Sequence, residues 1–281
     1  MIFKSPAKIN LALDILGEEE NGYHLIDTIY QIISLFDVIS IKRAKTNSIK
    51  FEVKEGEKIN NKHNTVQQVL EVLKGRIKNS YEIIIKKNIP AGAGLGGGSS
   101  DAAAVIKAIN TIEELKMDTE EMRRIGAKIG ADVPCFIKGK TMIGRHYGEN
   151  ISLLPDLNSF KEWRDLYKVL IIPERRKKTK EVYSSIDIKL CGKSTDKTKK
   201  MLEGLKNRNF NKIINNIHND FEIFAGEEFA HTKKILEEKE GALRALLCGS
   251  GTAVFAVSNN PFYVEALSRE LPNQRILNLN Q

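Results

Sequence analysis

Alternation of apolar and polar residues near the N-terminus predicts a β-strand over residues 7–15. Successive side chains of a strand point to opposite faces, so every second residue shares a side. The apolar face is formed by Ala7, Ile9, Leu11, Leu13 and Ile15. The other face is formed by Lys8, Asn10, Ala12 and Asp14, which predicts a half-buried strand. Lys8 and Asn10 are expected to project together from that face. The dipeptide Asn21-Gly22 indicates a turn after this strand.

Further elements are predicted before residue 88. Residues 38–43 and 49–54 are expected to be strands, and their spacing predicts that they pair antiparallel. Asn64 is a suitable N-cap for a helix whose apolar residues recur at the i, i+3, i+4, i+7 spacing. These apolar residues are Val66, Val69, Leu70 and Leu73. Another strand is predicted at 81–87, with one side formed by Tyr81, Ile83 and Ile85.

The pattern between residues 101 and 129 is helical. An alanine-rich helix is predicted over 101–115. Asp118 with Glu121 resembles a capping box and opens a second helix that ends near residue 129. Pro134 then disfavours helix at the residue before it, so the segment 130–134 is predicted to terminate the helix.

The pattern of apolar and polar residues changes beyond residue 148, and the irregular stretch 153–165 predicts a domain boundary. We expect an N-terminal domain over residues 1–154 and a C-terminal domain over residues 155–281. The C-terminal domain is predicted to contain a strand at 169–172, a charged helical region at 200–240, a strand–turn–strand unit at 245–257, a helix from Pro261 and a closing strand at 275–279.

Composition narrows the class of protein. The chain has 281 residues, 41% of them hydrophobic, without an apolar run long enough to cross a bilayer or a recognisable signal peptide. Three cysteines, an odd number with no C-x-x-C pair, favour reduced thiols and a cytoplasmic location. The five histidines form no metal-binding motif, so no metal site built from protein ligands alone is expected.

The charge of the chain is basic, at +8 from 44 Lys and Arg against 36 Asp and Glu. The excess lies in 175–178 and 193–200, rather than along a helix with interleaved aromatic residues. This distribution favours a solvated basic surface over a nucleic-acid footprint, and it also suits a small polyanion such as a nucleotide. Neither a nucleic-acid partner nor a membrane is therefore expected.

Residues 88–104, NIPAGAGLGGGSSDAAA, contain five glycines within seven positions. A strand precedes them and a helix follows, for which Ser99, Ser100 and Asp101 are suitable capping residues. Glycine lets the backbone approach an anion closely, and a helix N-terminus directs free N–H groups and its dipole towards that anion. The segment is therefore predicted to bind an anion rather than to act as a flexible linker.

The glycine spacing does not settle which anion site this is. Gly92-x-Gly94-x-x-Gly97 formally matches a dinucleotide fingerprint, but no acidic residue closes a second strand about 20 residues later, and the flanking strands are predicted to be antiparallel. A Walker loop would need a lysine where Gly98 stands. The positive charge must then come from a metal or a distant basic residue, and Lys8 is a candidate because its strand places it on a polar face.

Five segments, in chain order, carry a resemblance to a known family: PAKINLAL (6–13), NGYH (21–24), IPAGAGLGGGSSDAAA (89–104), GADVP (130–134) and GSGTAVF (249–255). They resemble the galactokinase, homoserine kinase, mevalonate kinase and phosphomevalonate kinase superfamily. The pairing of PAKIN…GYH with GLGGGSSDAAA is typical of the branch that phosphorylates the 2-hydroxyl of 4-diphosphocytidyl-2-C-methyl-D-erythritol in non-mevalonate isoprenoid synthesis.

The resemblance implies an α+β, two-domain small-molecule kinase fold with mixed and antiparallel sheets and an active site in the cleft between the domains. The N-terminal domain would bind ATP and carry catalysis, and the C-terminal domain would bind the substrate. The catalytic positions are matched by Lys8 and Asp132. The ATP phosphate loop would consist of Pro90, Ala91, Gly92, Ala93, Gly94, Leu95, Gly96, Gly97, Gly98, Ser99 and Ser100. The substrate positions are matched by Asn10, Tyr23, His24, Thr179 and Tyr183.

Phosphoryl transfer depends on positioning and charge neutralisation, with one group that orients or deprotonates the nucleophile. Asp132, beside a proline at a helix end, suits that role, and Lys8 would keep it ionised and stabilise charge on the γ-phosphate. Mg²⁺ would arrive with ATP, coordinated mostly by phosphate and water. Ser99 or Ser100 could add a hydroxyl ligand or simply cap the helix, and the sequence does not separate them.

Two aromatic residues of the implied substrate site suit a pyrimidine ring. Tyr23 and Tyr183 could stack on its two faces, and His24 could hydrogen-bond its edge, although each tyrosine taken singly also suits ordinary packing. The Gly249-Ser250-Gly251 turn fits a tight hairpin, and in the family the corresponding motif packs against the active site.

Three places depart from the family pattern. Lys178 precedes Thr179 where serine is usual, which leaves the local alignment there open. Arg, His and Tyr occupy 145–147 in place of small residues, so this loop is predicted to have a different shape. Cys248 takes the place of a common serine, a mild change if the thiol is buried.

Two other functions stay open from the sequence. One is a different member of the superfamily, such as homoserine kinase or the diphosphate decarboxylase, against which the GYH segment and the glycine–serine run argue. The other is a basic RNA- or nucleotide-binding module without catalysis, which lacks support because no aromatic-rich strand of the RNP type is present.

Overall fold

The computed structural model describes residues 1–53, 64–173 and 182–280, which belong to two compact units. Unit 1 comprises Met1–Ala7, Ser34–Ala91 and Gly96–Gly139, and unit 2 comprises Lys8–Ile33, Gly92–Leu95 and Lys140–Gln281. Two long strands, β1 (Ile2–Glu18) and β2 (His24–Ala44), contribute to both units. The units interleave along the chain, whereas the boundary predicted at 154/155 divides it once. That boundary stays a prediction.

In unit 1, three neighbouring strands of one sheet are β3 (Ser48–Val53), β4 (Ser80–Lys87) and the C-terminal part of β2. β4 lies between the other two, parallel to β3 and antiparallel to β2. The predicted antiparallel pairing of 38–43 with 49–54 is therefore wrong. The prediction fails because the helix α1 (Thr65–Leu73) connects β3 to β4 and lets β4 run parallel to β3, and β4 rather than β3 then pairs with β2.

The start of α1 follows the predicted capping pattern. The Asn64 side chain accepts a hydrogen bond of 2.8 Å from the Gln67 N–H, and the predicted apolar residues of the helix are buried. In the same way Asp118 accepts from the Glu121 N–H at 2.7 Å and caps α3 (Thr119–Ala127). Both caps are confirmed, with the second helix ending two residues earlier than predicted.

The helix after the glycine segment, α2 (Gly97–Ile112), begins earlier than predicted. Its N-cap is Gly96, in the left-handed conformation with φ 71°. Ser99, Ser100 and Asp101 therefore lie inside the first turns, and their prediction as capping residues is wrong. Gly96 has no side chain, so the first N–H groups of α2 receive no cap hydrogen bond from it.

Pro134 lies inside a helix, so the prediction that it disfavours helix at Val133 is wrong. A short helix, α4 (Val133–Lys138), begins directly after Asp132, and Pro134 lies in its first turn. Proline is tolerated there because the N–H groups of a first turn have no partner within the helix. Sequence reasoning used Pro134 only to terminate the preceding helix and missed α4.

Unit 2 contains two sheets. In the first, β1 pairs with β2 and, in parallel at Ala12 and Leu13, with β8 (His218–Asn219). β2 also pairs antiparallel with β5 (Met142–Arg145), which pairs antiparallel with β6 (Asn150–Leu153). The second sheet is antiparallel in the order β11 (Arg275–Asn278), β7 (Tyr167–Ile172), β10 (Val254–Ser258) and β9 (Ala242–Leu247).

The described helices of unit 2 are α5 (Lys161–Arg164), α6 (Thr195–Lys206), α7 (Phe210–Ile214), α8 (Glu227–Glu237) and α9 (Tyr263–Glu270), with 3₁₀ turns at Leu157–Ser159, Ile188–Leu190 and Asp220–Phe224. Leu236 of α8 and Leu267 of α9 share a buried core with the second sheet. The strand–turn–strand unit, the last helix and the closing strand are confirmed. Mixed and antiparallel sheets with helices confirm the predicted α+β class.

The polar face of β1 differs from its prediction. Lys8, Asn10 and Asp14 are 4%, 2% and 0% exposed, so the strand is buried on both faces rather than half-buried. Partners from elsewhere in unit 2 cover the second face: His218 Nε2 lies 3.0 Å from Asp14 Oδ1, and the Thr198 hydroxyl donates to Asp14 Oδ2. Burial of this face therefore depends on paired polar groups.

Two bulk predictions can be compared with the described residues. None of their helices is both long and apolar enough to span a bilayer. The three cysteines are buried and are not joined by disulfides, in agreement with the predicted free thiols.

Candidate active site

Lys8 and Asn10 form the start of a buried polar chain on β1, all within unit 2. Lys8 Nζ donates to Asn10 Oδ1 at 2.8 Å, and Asn10 Nδ2 donates to the Thr28 hydroxyl at 2.8 Å. Thr28 in turn donates to the Ala12 carbonyl at 2.8 Å. The Tyr30 ring lies 5.5 Å from the Lys8 ammonium. The prediction that Lys8 and Asn10 project together is confirmed, and these hydrogen bonds fix the orientation of both side chains.

The turn between β9 and β10 lies against these two side chains. At Gly249, φ is 55° and the position a Cβ would take lies 3.2 Å from Lys8 Nζ and 3.3 Å from Asn10 Oδ1. Asn219 holds the turn, because its Nδ2 donates to the carbonyls of Leu247 at 2.9 Å and Gly249 at 2.8 Å. Sequence reasoning missed Asn219, which no motif distinguishes from other asparagines.

The glycine segment contacts the same turn through its residues in unit 2. A Cβ at Gly94 would lie 1.7 Å from the Cys248 carbonyl oxygen, so only glycine fits there. The Lys8 N–H donates to the Leu95 carbonyl at 3.0 Å, and the Ala253 N–H donates to the Ala93 carbonyl at 3.3 Å. Residues 92–95 are therefore joined by one backbone hydrogen bond to the strand that carries Lys8 and by another to the connection between β9 and β10.

The Cys248 thiol is an unreactive part of this turn. Burial raises the pKa of Cys248 to about 12, although the nearby Lys8 charge lowers it. The group is therefore a neutral thiol at physiological pH. This fits the expectation that cysteine in place of serine is a mild change.

In unit 1, the N-terminus of α2 presents backbone donors. Its first i→i−4 hydrogen bond runs from the Ser100 N–H to the Gly96 carbonyl at 2.9 Å. The N–H groups of Gly97, Gly98 and Ser99 precede that bond and have no partner within the helix. Ser100 is 1% exposed, and its hydroxyl has no hydrogen-bond partner among the described residues. This buried hydroxyl distinguishes Ser100 from the half-buried Ser99.

Asp132 occupies the N-cap position of α4, with φ −80° and ψ −14°, and its carboxylate does not cap that helix. It is half-buried and belongs to unit 1, whereas Lys8 belongs to unit 2. The catalytic pairing of Asp132 with Lys8 stays a prediction.

The aromatic residues of the implied substrate site contact other aromatic rings in unit 2. The His24 ring lies 5.2 Å from the Tyr183 ring, which also contacts Phe221 edge-on at 5.0 Å. His24 is 8% exposed, and its buried Nδ1 has no hydrogen-bond partner among the described residues. Tyr183 is half-buried, and Tyr23 is 61% exposed. Thr179 lies outside the described residues.

Tyr23 packs against the loop at 145–147, which departs from the family pattern. The Tyr147 ring lies 5.0 Å from the Tyr23 ring, and its hydroxyl hydrogen-bonds to Glu19 and accepts from Asn21 Nδ2 at 3.0 Å. The hydrogen bond to Glu19 raises the pKa of the Tyr147 phenol. His146 has a left-handed backbone, φ 65°, and its ring lies 3.8 Å from that of Tyr147. Tyr147 was not among the predicted site residues, although the unusual loop sequence pointed to it.

Similarity to known proteins covers both halves of the chain. Residues 64–140 match the GHMP kinases N terminal domain, and residues 201–276 match the GHMP kinases C terminal region. A 4-diphosphocytidyl-2-C-methyl-D-erythritol kinase of Clostridium tetani is 39% identical over 91% of this chain and 90% of its own length. The enzyme of the same name from Clostridioides difficile is 34% identical, over 92% of this chain and 86% of its own.

Solved structures agree in fold. The crystal structure of a 4-(cytidine 5'-diphospho)-2C-methyl-D-erythritol kinase has a TM-score of 0.72 and 25% identity, covering 99% of this chain and 98% of its own. Homoserine kinase from Cytophaga hutchinsonii has the same TM-score at 18% identity, covering 99% and 96% of the two chains. The second likeness concerns the fold alone. Matches at both ends, together with close relatives over nine-tenths of the sequence, establish that the chain belongs to the GHMP kinases and is an ATP-dependent small-molecule kinase.

Proposed function

We propose that this kinase transfers the γ-phosphoryl group of ATP to the 2-hydroxyl of 4-diphosphocytidyl-2-C-methyl-D-erythritol, a step of non-mevalonate isoprenoid synthesis. The observation that carries the proposal is the 39% identity, over nine-tenths of the chain, to a relative of that name. Fold alone does not select this substrate, because a homoserine kinase matches equally well in TM-score.

The glycine segment, Pro90–Ser100, is proposed to hold the ATP phosphates. Support comes from the free N–H groups of the first turn of α2, where the helix dipole favours negative charge. Within unit 2, Gly94 lets residues 92–95 approach the 248–251 turn closely. No lysine follows the last glycine of the segment, so the site relies on backbone donors and on charge supplied by other residues.

Lys8 is proposed to stabilise negative charge on the transferred group. Lys8 is 4% exposed, and its ammonium is oriented by the Asn10 amide, an arrangement that reduces reorganisation when charge develops. Asp132 is proposed to orient or deprotonate the attacking hydroxyl. It stands at the start of α4, in the GADVP segment that carries the family resemblance.

Mg²⁺ is proposed to arrive with ATP, and the donor set of the site fits it. Mg²⁺ prefers oxygen ligands and keeps several waters and phosphate oxygens, so few protein ligands are needed. The buried, unpartnered Ser100 hydroxyl offers one such oxygen at the N-terminus of α2. When bound, the ion would neutralise phosphate charge.

The cytidine end of the substrate is proposed to bind beside Tyr23, His24 and Tyr183. An unpartnered buried ring nitrogen is costly, and a hydrogen bond from or to the substrate would satisfy His24 Nδ1. Asn10 and Thr179 are proposed to complete the substrate site. Cytosol is the proposed location, consistent with free buried cysteines.

A coupled ADP-release assay tests this function. We expect turnover with 4-diphosphocytidyl-2-C-methyl-D-erythritol that exceeds turnover with homoserine or mevalonate by at least about 10³-fold, since a site built around polar groups strongly rejects substrates that leave them unpaired. Asp132→Asn should lower kcat by about 10²-fold or more. Turnover of homoserine at a comparable rate would refute the substrate assignment.

Asp118→Asn is the matched control for Asp132→Asn. Both carboxylates stand at helix N-caps in unit 1, and asparagine caps a helix as well as aspartate does. We expect kcat to stay within about twofold in Asp118→Asn. Equal losses in the two variants would remove Asp132 from the mechanism and indicate a general effect on unit 1.

A further inference from the structure

Three charged side chains are buried behind the glycine segment in unit 1, and the mechanism above uses none of them. Lys87 is the last residue of β4, and Asp101 lies in the second turn of α2, so the two flank residues 88–100. Asp37 of β2 lies beside them. The side chains of Lys87, Asp37 and Asp101 are 7%, 0% and 2% exposed.

Hydrogen bonds join both ends of the segment through this cluster. Lys87 Nζ donates to Asp101 Oδ2 at 2.7 Å and also to Asp37 Oδ2. The other oxygen of Asp37 accepts from the backbone N–H groups of Asn88 at 2.6 Å and Ile89 at 2.8 Å. Asp37 therefore holds the two residues that precede Pro90, and Lys87 links them to the helix that follows the segment.

The cluster reaches the first residue of α2. The position a Cβ would take at Gly97 lies 3.4 Å from Lys87 Nζ and 3.0 Å from Ile89 Cγ2. On its far side, Asp101 Oδ1 accepts from the Ser5 hydroxyl at 2.8 Å. The ammonium of Lys87 thus lies next to the first residue of α2.

Charge counting limits what the cluster can do. One ammonium faces two carboxylates, so the cluster carries a net charge of −1 when all three are ionised and cannot attract an anion at a distance. Burial raises the pKa of Asp101 to about 6, although Lys87 lowers it and Asp37 raises it further. Burial opposes the charge on Lys87, but Coulombic attraction to Asp101 and Asp37 outweighs it and raises the pKa of that ammonium. Lys87 remains charged and paired.

We propose that Lys87, Asp37 and Asp101 are positioning residues that fix the two ends of the glycine segment against each other, so that the free N–H groups of α2 are held ready for nucleotide phosphate. The proposal rests on the proposed role of residues 90–100 in ATP binding. It does not depend on which alcohol is phosphorylated.

Binding of MgADP, measured by titration calorimetry, separates positioning from a purely stabilising role. Asp101→Asn keeps the shape of the side chain but removes its charge, which loosens the link to Lys87. We expect the Kd for MgADP to rise by about tenfold in this variant. In turnover assays the KM for ATP should rise by a similar factor, while the KM for the alcohol stays within about twofold.

Asp14→Asn is the matched control. Asp14 is also a fully buried carboxylate, and it is paired with the His218 imidazole. It lies in unit 2, and none of the hydrogen bonds between described residues joins it to the glycine segment. Both variants should lower the melting temperature. Only Asp101→Asn should weaken MgADP binding.

A double-mutant cycle tests whether the residues act together. Lys87→Met combined with Asp101→Asn should raise the Kd for MgADP no further than Lys87→Met alone, because either change already breaks the link. Additive increases would overturn the proposal. Melting temperatures lowered equally in Asp101→Asn and Asp14→Asn, with MgADP affinity unchanged in both, would also overturn it.

Ser5→Ala covers the case in which the charged variants do not fold. It removes one hydrogen bond to Asp101 and leaves the ion cluster in place, and it should raise the Kd for MgADP by about two- to threefold. An unchanged Kd would overturn the proposal. Wild-type protein that binds MgADP but does not phosphorylate the cytidylyl alcohol would refute only the proposed substrate, and failure to bind MgADP would refute both proposals.

Discussion

Gly94→Ala tests the close contact between the glycine segment and the turn at 248–251. Gly94 has φ 82°, and a Cβ there would lie 1.7 Å from the Cys248 carbonyl oxygen and 2.9 Å from the Gly251 nitrogen. Gly92 provides the matched control, because it has φ 70° but no atom within 4 Å of the corresponding position. The two alanine variants therefore share a backbone cost and differ in the contact.

The magnitudes follow from the geometry. A left-handed backbone costs an alanine about 1–2 kcal/mol, which is the whole expected loss for Gly92→Ala. Real Cβ atoms essentially never approach other heavy atoms within 3.0 Å, so Gly94→Ala must displace the backbone by more than 1 Å. That movement breaks the hydrogen bonds to the Leu95 and Ala93 carbonyls, each worth about 0.5–1.5 kcal/mol. We expect a total loss of about 2–5 kcal/mol.

Denaturant unfolding and nucleotide affinity measure the two effects. Gly94→Ala should lower the free energy of unfolding by at least about 1 kcal/mol more than Gly92→Ala does. The KM for ATP should rise more in Gly94→Ala, because residues 92–95 move away from the strand that carries Lys8. Equal losses in both variants would show that the close approach at 248–251 contributes nothing, and would refute this reasoning.

Three further outcomes are expected. Tyr147→Ala should raise the KM for the cytidylyl substrate by about tenfold and leave the KM for ATP unchanged, because Tyr23 loses its ring neighbour. Tyr147→Phe keeps the ring and should have a smaller effect. Equal KM values in wild type and Tyr147→Ala would contradict this prediction. Cys248 should resist iodoacetamide at pH 8.5 in the folded protein and react after unfolding, since burial raises its pKa to about 12; rapid labelling of native protein would count against its burial. Asp101 has a folded-state pKa of about 6, above its ordinary value of 3.8, so the folded state binds more protons than the unfolded state between these pH values. The free energy of unfolding of the wild type should therefore fall relative to that of Asp101→Asn as pH rises from about 4 to 6. A difference in unfolding free energy that stays constant over this range would refute the pKa shift.

Local elements could be predicted from sequence where local chemistry decides them. The caps at Asn64 and Asp118 formed as expected, because each carboxylate or amide acts on an N–H three residues away. Strand pairing could not be predicted in the same way. The chain between residues 38 and 54 gives no sign that β4, about 30 residues later, inserts between the two strands.

Burial of β1 shows a second limit of sequence reasoning. Alternation correctly placed Lys8, Asn10 and Asp14 on one face, but polarity alone does not reveal whether that face meets solvent. Its partners, Thr198 and His218, lie 184 and 204 residues away from Asp14 in the sequence. The Lys87 cluster escaped prediction for the same reason, since its lysine and carboxylates look like ordinary surface charges in the sequence.

The structure also bears on which lysine can replace the lysine that a Walker motif would have after the glycine segment. Lys87 immediately precedes the glycine segment, yet its charge is more than offset by two carboxylates, so nearness in sequence does not make it the compensating cation. Lys8 is more than 80 residues away in sequence but is joined to the segment by the hydrogen bond from its own N–H to the Leu95 carbonyl. That bond sets the position of Lys8 against the segment, and a slip of one residue in β1 would bring Ala7 or Ile9 to that position and turn the Lys8 side chain to the opposite face. In the role that we propose for Lys8, this backbone hydrogen bond between strand and loop replaces the adjacency in the chain on which a Walker motif depends.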